Sequence, residues 1–139
     1  ILKRCEETKM RLIIGGAFQG KYEYAEKTYP KAVILNNLHE KIKADVQKEV
    51  SQGEPNRASE DWTNLQNNLE NKWIEQMKCR IGTEPELCIV CDEVGMGIVP
   101  MEKWERIYRE VVGHVCIFLA QEAVSVERIV CGIPEKIKG

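Results

Sequence analysis

The sequence predicts an α/β protein in which a mostly parallel sheet is flanked by helices. Short apolar segments closed by turn residues alternate with longer amphipathic segments, and this alternation is typical of a parallel sheet covered on both faces. The length of 139 residues fits one domain and is enough to bury a sizeable core. We see neither internal repeats nor low-complexity stretches.

The first half of the chain contains two predicted strands and two predicted helices. Each strand is a short apolar run that ends at turn or capping residues, namely Gly15-Gly16 and then Asn36-Asn37. The first helix stops before Pro30, and the second repeats apolar residues every four positions from Leu38. The predicted elements are strand 11–14, helix 21–29, strand 32–35 and helix 38–50.

The second half repeats the same alternation after a polar loop at 51–57. Ser59 or Asp61 is expected to cap the next helix, which ends near Arg80 with Gly82 just beyond it. A tail is expected to start at Gly132. The predicted elements are helix 59–80, strand 87–91, helix 101–123 and strand 126–131.

Charge and hydropathy exclude several classes of protein. The 20 Lys and Arg residues against 22 Asp and Glu residues argue against binding of nucleic acid through bulk positive charge. No apolar run approaches the ~20 residues of a membrane-spanning helix. The N-terminus lacks the apolar region of a secretory signal, so we expect a cytoplasmic protein.

The six cysteines are interpreted as free, mostly buried thiols in a reducing cytoplasm, with disulfides as the less favoured alternative. Cys88 and Cys91 have the spacing of a metal or redox pair. They lie in a predicted strand, where residues three apart point to opposite faces. We therefore do not expect them to bind one metal ion.

The segment from Gly15 to Tyr22 has the pattern G-x-x-x-x-G-K-Y between a strand and a helix. In such a loop glycines let backbone N–H groups surround phosphates, the helix points its positive end at them, and the lysine reaches the β- and γ-phosphates. The alternative is a tight turn with an incidental lysine. The predicted nucleotide-binding residues are Gly15, Gly16, Ala17, Gly20, Lys21 and Tyr22.

Tyr22 occupies the position where a Ser or Thr usually ligates Mg²⁺, and its hydroxyl is carried too far out for that role. Asp92 and Glu93 end the third strand, where acidic residues hold Mg²⁺ in phosphate-loop proteins. They are therefore the candidate metal ligands, with solvated loop carboxylates as the alternative.

Two motifs resemble one family closely. Gly15-Gly-Ala-x-x-Gly-Lys and Asp92-Glu-Val-Gly-Met-Gly-Ile-Val-Pro100 are similar to those of the adenosylcobinamide kinase / adenosylcobinamide-phosphate guanylyltransferase family of cobalamin biosynthesis. Family members carry Asn where this chain has Asp92. The resemblance covers roughly residues 10–138, so residues 1–9 are interpreted as an N-terminal extension and 10–139 as one nucleotide-binding domain.

The resemblance implies a three-layer, RecA-like P-loop fold, usually assembled as a homotrimer. It implies Mg²⁺, ATP or GTP as phosphoryl donor, and a corrinoid substrate, adenosylcobinamide, whose hydroxyl is phosphorylated. Lys21 and Glu93 would then be catalytic. Arg106 and Arg109, on the helix after the second motif, become candidates for binding phosphate or substrate, with solvated helix charge as the alternative.

The chain also departs from the family pattern. It is shorter in the middle, where members carry another strand and helix and the histidine that accepts GMP. His39 comes too early for that role and is expected to be a surface residue, and His114 stands where the family often has Arg. We therefore expect a kinase without guanylyl transfer. The alternative is a non-catalytic nucleotide- or corrinoid-binding homologue that acts as a regulatory or partner subunit.

Overall fold

The computed structural model describes residues 9–53, 58–95, 97 and 100–139. The predicted extension, residues 1–9, lies outside them except for Lys9, which begins the first strand. Among the described residues the strands are β1 (Lys9–Gly15), β2 (Val33–Leu35), β3 (Glu86–Asp92), β4 (Ser125–Val130) and β5 (Ile133–Lys138). The helices are α1 (Lys21–Thr28), α2 (Leu38–Ser51), α3 (Ser59–Thr83) and α4 (Lys103–Glu122).

The five strands form one sheet in the order β2-β3-β1-β4-β5. The pairs β2–β3, β3–β1 and β1–β4 are parallel, and β4–β5 is antiparallel. From β1 the chain runs toward one edge of the sheet to form β2, and from β3 it runs toward the opposite edge to form β4. The connections therefore diverge between β1 and β3, and the carboxyl edge of such a point is where open α/β sheets bind ligands.

Helices cover both faces of the sheet, but unequally. Leu12 in β1 and Leu87 in β3 face the larger core, which α2, α3 and α4 enclose. The neighbouring Ile13 and Cys88 face the smaller core, which is covered by the eight-residue α1. The predicted α/β architecture is confirmed, and the side-chain alternation along the strands explains how nearly continuous apolar runs fill two cores.

Cys88 and Cys91 follow that alternation. Cys88 lies in the smaller core and Cys91 in the larger one, as predicted for two residues three apart on a strand. Every cysteine among the described residues is a free thiol. The expectation that they are mostly buried was only partly met, because Cys79 and Cys131 are exposed.

The predicted C-terminal tail was wrong, because the chain turns at Cys131 and Gly132 and returns as β5. Val130 pairs with Ile133, which leaves a two-residue loop, and both loop residues have positive φ, at 51° and 77°. This is the geometry of a type I′ turn. Cys-Gly is a weaker signal for it than Asn-Gly, so the turn is hard to recognise in the sequence.

Helix boundaries also differ from the predictions. Asn37 occupies the N-cap of α2 in the left-handed conformation without a side-chain capping bond, and Ala58 precedes α3 without one either. Gly82 lies inside the last turn of α3, which continues to Thr83. Among the described residues, no helix is long and apolar enough to cross a membrane.

His114 and Glu70 connect α4 to α3. From this contact we expect a small pH dependence of the stability of the protein. Their hydrogen bond raises the pKa of His114. This contribution to stability is therefore present below the ordinary histidine pKa of about 6.5 and is lost as the pH rises through the raised value. Because the His114 side chain is 48% exposed, we expect only a few tenths of a kcal/mol.

An NMR titration checks this expectation. The pKa of His114 is expected to fall toward its ordinary value in Glu70→Gln. The Tm of Glu70→Gln is expected to lie further below that of the unmodified protein at pH 6 than at pH 9. An unchanged His114 pKa in Glu70→Gln would show that the pair does not form in solution.

Candidate active site

The glycine-rich loop joins β1 to α1 at the carboxyl edge of the sheet. Gly15 ends β1, Gly20 forms the N-cap of α1 with φ 86°, and Lys21 is the first residue of the helix. The strand–loop–helix context predicted for a phosphate loop is therefore present. The positive end of the α1 dipole faces the loop, which favours bound anions there.

The turn between β4 and β5 braces this loop. The Gln19 side-chain Oε1 accepts a hydrogen bond of 2.6 Å from the backbone N–H of Cys131, and the Gln19 carbonyl accepts one of 2.9 Å from Gly132. The sequence pattern predicts neither contact, because it predicts a tail, and not a turn, from Gly132. The hairpin thus contributes to holding the loop conformation.

Lys21 is buried, with 6% of its surface exposed. Its Nζ donates to the Gly16 carbonyl at 2.5 Å and lies 2.7 Å from Asp92 Oδ1. A buried charge requires such compensation. Gly15 pairs with Asp92 across β1 and β3. This register brings Asp92 beside Lys21, although the two residues are 71 positions apart in the sequence.

His39 was predicted to be a surface residue, and the structure contradicts this: it is 5% exposed. Its Nδ1 accepts a 3.0 Å hydrogen bond from the backbone N–H of Asp92, and its Nε2 lies 3.3 Å from Asp92 Oδ2. Burial lowers the pKa of His39, although the carboxylates of Asp92 and Glu40 oppose this shift. His39 therefore lies beside the predicted lysine and carboxylate.

A cleft of about 560 Å³ opens above these residues at the carboxyl edge of the sheet. The glycine-rich loop, the first turn of α1, the end of β2 and the first turn of α2 surround it. The side chain of Phe18 at its rim is fully exposed. Predicted site residues in its lining are Ala17, Gly20, Lys21, Tyr22 and Asp92; Asn36, Asn37, His39, Glu23 and Glu40 also contribute.

Tyr22 lines the cleft at the position where a Ser or Thr is usual. Its side chain is exposed, and the Glu26 carboxylate, one turn further along α1, raises the pKa of Tyr22. The hydroxyl therefore lies beside Glu26. The expectation that this hydroxyl reaches too far to take the metal-ligand position stays a prediction.

Glu93 lies outside the cleft lining, although it is adjacent to Asp92. Glu93 follows the last residue of β3, and its carboxylate accepts hydrogen bonds from Arg128 Nε at 2.8 Å and Nη2 at 3.2 Å. This two-point pair with β4 engages both carboxylate oxygens. The roles predicted for Glu93 in catalysis and metal binding stay predictions.

Arg106 and Arg109 also lie away from the main cleft. Arg106 is exposed and donates to the carbonyl of Met101, whereas Arg109 Nε donates at 2.8 Å to the carbonyl of Val94. Arg109 lines a separate pocket of about 210 Å³ between α2, α4 and the segment after β3. Their predicted phosphate or substrate roles are not tested by this geometry.

Gly15 is expected to tolerate no side chain. A Cβ there would lie 2.6 Å from the Ile129 carbonyl oxygen of β4 and 3.4 Å from Lys21 Cδ. Gly15→Ala should therefore lower the free energy of unfolding by about 1–3 kcal/mol, the usual cost of overpacking, and weaken nucleotide binding. Denaturant unfolding and calorimetry check the two effects.

Gly113 provides the matched control. It lies inside α4, and a Cβ there would meet nothing within 4 Å. Gly113→Ala is expected to raise stability by about 0.5–1 kcal/mol. If both variants changed the free energy of unfolding equally, the predicted clash of a Cβ at Gly15 with the Ile129 carbonyl would be contradicted.

A family model described as cobinamide kinase / cobinamide phosphate guanyltransferase matches residues 33–137, from the start of β2 into β5. No curated protein matches the chain. The matched range starts after the glycine-rich loop, so the phosphate-loop interpretation rests on the geometry described above. The match covers more than half of the chain, which therefore belongs to the cobinamide kinase / cobinamide phosphate guanyltransferase family, P-loop enzymes of cobalamin biosynthesis.

Proposed function

We propose that the chain binds a nucleoside triphosphate, ATP or GTP, in the 560 Å³ cleft and transfers its γ-phosphoryl group to the hydroxyl of a corrinoid alcohol, adenosylcobinamide. The observation that carries the proposal is the position of Lys21. It begins α1 directly after the glycine-rich loop, and it lies 2.7 Å from the Asp92 carboxylate on the neighbouring strand.

Lys21 is placed at the start of α1 so that its positively charged ammonium group can contact phosphates bound in the glycine-rich loop. Its ammonium group donates to the Gly16 carbonyl and lies beside the Asp92 carboxylate. Phosphate oxygens would compete for the same donors, assisted by the N-terminus of α1. Phosphoryl transfer depends mainly on positioning and charge neutralisation. The acceptor oxygen bonds to the γ-phosphorus as the bond to the bridging oxygen breaks, and the hydroxyl proton is lost to solvent.

The charges around the cleft favour a metal–nucleotide complex. Its lining includes the carboxylates of Glu23, Glu40 and Asp92 alongside Lys21, so a bare triphosphate would face several negative groups. Magnesium prefers oxygen ligands and usually keeps waters and phosphate oxygens in its shell. When bound, Mg²⁺ would neutralise phosphate charge.

Asp92 fits such an ion better than Glu93. Both carboxylates are paired with a basic side chain, but Asp92 lines the cleft beside Lys21, whereas Glu93 lies outside the lining. The described residues contain no group of three or more His, Cys, Asp or Glu side chains placed to hold a metal by themselves. We therefore propose that the ion enters with the nucleotide, and that Mg²⁺ alone binds weakly.

Guanylyl transfer through His39 is not part of the proposal. A histidine that attacks a phosphorus atom needs a free nitrogen lone pair. The Nδ1 lone pair of His39 accepts the Asp92 N–H, and in the neutral ring Nε2 then carries the proton, so neither nitrogen offers one. Incubation with labelled GTP should therefore leave no covalent GMP on the protein. A stable GMP–histidine adduct would overturn this part of the proposal.

Calorimetry with ATP and GTP, each with and without Mg²⁺, tests the binding step, and a phosphorylation assay with adenosylcobinamide tests the transfer. We expect Mg²⁺-dependent nucleotide binding that weakens in Asp92→Ala, together with phosphorylated product. Glu135→Ala on β5, which removes an exposed carboxylate, is the control. Binding without turnover would favour the non-catalytic homologue, and absence of binding would refute both.

The resemblance also implies a homo-oligomer, and this stays a proposal. Light scattering after size-exclusion chromatography would measure the oligomeric state, and a monomeric mass would contradict it.

A further inference from the structure

His39 lies at the start of α2, and its ring contacts Asp92 at the end of β3. Nδ1 meets the backbone N–H of Asp92 at 3.0 Å, and Nε2 lies 3.3 Å from Oδ2 of the same residue. The second carboxylate near Nε2 is Glu40, at 3.5 Å. Buried polar atoms need hydrogen-bond partners, and here Asp92 provides the partner of Nδ1.

The Nδ1 contact determines the tautomer of the ring. A backbone N–H always donates, so Nδ1 must offer its lone pair and carry no proton. In the neutral imidazole the proton then lies on Nε2. Nε2 lies 3.3 Å from Asp92 Oδ2 and 3.5 Å from a Glu40 carboxylate oxygen, so the two negative charges favour a proton on this nitrogen.

The two contacts hold Asp92 in one orientation. His39 restrains its main chain through Nδ1 and attracts Oδ2 through Nε2, while Oδ1 faces Lys21 at 2.7 Å. Such outer partners orient a functional group by limiting its rotamers and fixing its hydrogen bonds. Asp92 therefore meets Lys21 with a carboxylate whose direction is already set.

We propose that neutral His39, protonated on Nε2, is a positioning residue that acts through Asp92 and thereby aligns Lys21 at the phosphate loop. The part of this inference that concerns catalysis rests on the proposed function. The structural part, the tautomer and its coupling to Asp92, does not. His39 itself touches neither the phosphates nor the reacting atoms in this role.

The tautomer is tested on the unmodified protein by NMR of ¹⁵N-labelled histidines at pH 8. We expect one histidine, assigned to His39 by its absence in His39→Ala, to show an unprotonated Nδ1 and a protonated Nε2. The exposed His114 is the internal reference. A proton on Nδ1 of His39 would overturn the proposal.

The coupling is tested with a double-mutant cycle of His39→Ala and Asp92→Ala, with the dissociation constant of Mg²⁺–ATP as readout. Loss of an outer partner usually costs about 10- to 100-fold, and we expect a loss of that order for His39→Ala. If His39 acts through Asp92, its replacement in the Asp92→Ala protein should cost less than about twofold, the limit of additivity for independent sites. Equal losses in both backgrounds would show a merely structural role and overturn the proposal.

Two further variants keep the cycle interpretable. His39→Asn keeps a hydrogen-bond acceptor near the position of Nδ1 and should recover part of the lost affinity, whereas His114→Ala should leave the affinity unchanged. If nucleotide binds but adenosylcobinamide is not phosphorylated, the proposed function fails while the cycle still decides on His39. If nucleotide does not bind, the tautomer measurement decides alone.

Discussion

Replacing Lys21 with methionine is expected to slow phosphoryl transfer by about 10²- to 10³-fold and to weaken nucleotide binding by about tenfold or more. The substitution keeps the length of the side chain and removes the ammonium group that lies at the glycine-rich loop, 2.7 Å from Asp92. Loss of one donor to charge that develops in a transition state costs about 10²–10³ in kcat. Charge-assisted hydrogen bonds contribute about 1.5–3 kcal/mol to binding, so the dissociation constant should rise by about tenfold or more.

Lys27→Met provides the control for this prediction. Lys27 is an exposed lysine in the last turn of the same helix, so its replacement removes one positive charge from α1 without touching the cleft. We expect its nucleotide affinity to match that of the unmodified protein. If Lys21→Met bound nucleotide within about twofold of the Lys27→Met protein, the phosphate-loop interpretation would be wrong.

Glu127→Ala is expected to cause the largest loss of stability. Glu127 lies on β4 beneath α1, is 6% exposed, and accepts hydrogen bonds from the hydroxyls of Tyr24 and Tyr29. Alanine would leave both hydroxyls without this acceptor. Each bond to a charged acceptor contributes about 1.5–3 kcal/mol, so we expect a loss of about 3 kcal/mol or more.

For a domain of this size such a loss corresponds to a decrease in Tm of about 10 °C. Thermal and urea unfolding measure it. Because the two tyrosines fasten α1 to the sheet, nucleotide affinity should decrease as well. The pKa values of Tyr24 and Tyr29 are both raised, first by burial and then by their bonds to Glu127, so the tyrosine pKa values should move toward the ordinary value in Glu127→Ala.

The double variant Tyr24→Phe with Tyr29→Phe separates the hydrogen bonds from other effects of the glutamate. If the bonds to Glu127 are what stabilises α1, adding Glu127→Ala to the phenylalanine variant should cost much less than it does alone. Glu135→Ala, on the exposed strand β5, should leave Tm nearly unchanged. If the losses in free energy of unfolding from the three substitutions simply added, the bonds from Tyr24 and Tyr29 to Glu127 would not be what stabilises α1.

Sequence patterns were sufficient for the elements around the site. The apolar runs predicted β1 to β4 within two residues, because strands buried on both faces are almost continuously apolar. The glycine spacing identified the loop from Gly15 to Lys21. The position of Asp92 and Glu93 at the end of β3 indicated that they lie near this loop, since the carboxyl ends of parallel strands share one edge of the sheet.

Contacts across the sheet could not be predicted from local patterns. His39 lies near the start of an amphipathic helix and has an acidic neighbour, which is typical of a surface position. Its burial depends on α2 packing beside the end of β3, 53 residues later. Arg128 and Glu93 are likewise joined only because β4 lies on the other side of β1.

By itself, the sequence determined the α/β class, the order of the elements up to β4 and the place of the glycine-rich loop with Lys21 between a strand and a helix. These follow from interactions between near neighbours: hydrophobic periodicity, turn residues and strand ends. Tertiary structure decided that Asp92 faces Lys21 and the cleft while Glu93 pairs with Arg128. It also decided that His39 is buried against Asp92 and that β5 returns to brace the loop through Gln19. Strand order and register determine these contacts, because they bring together residues that no local spacing relates.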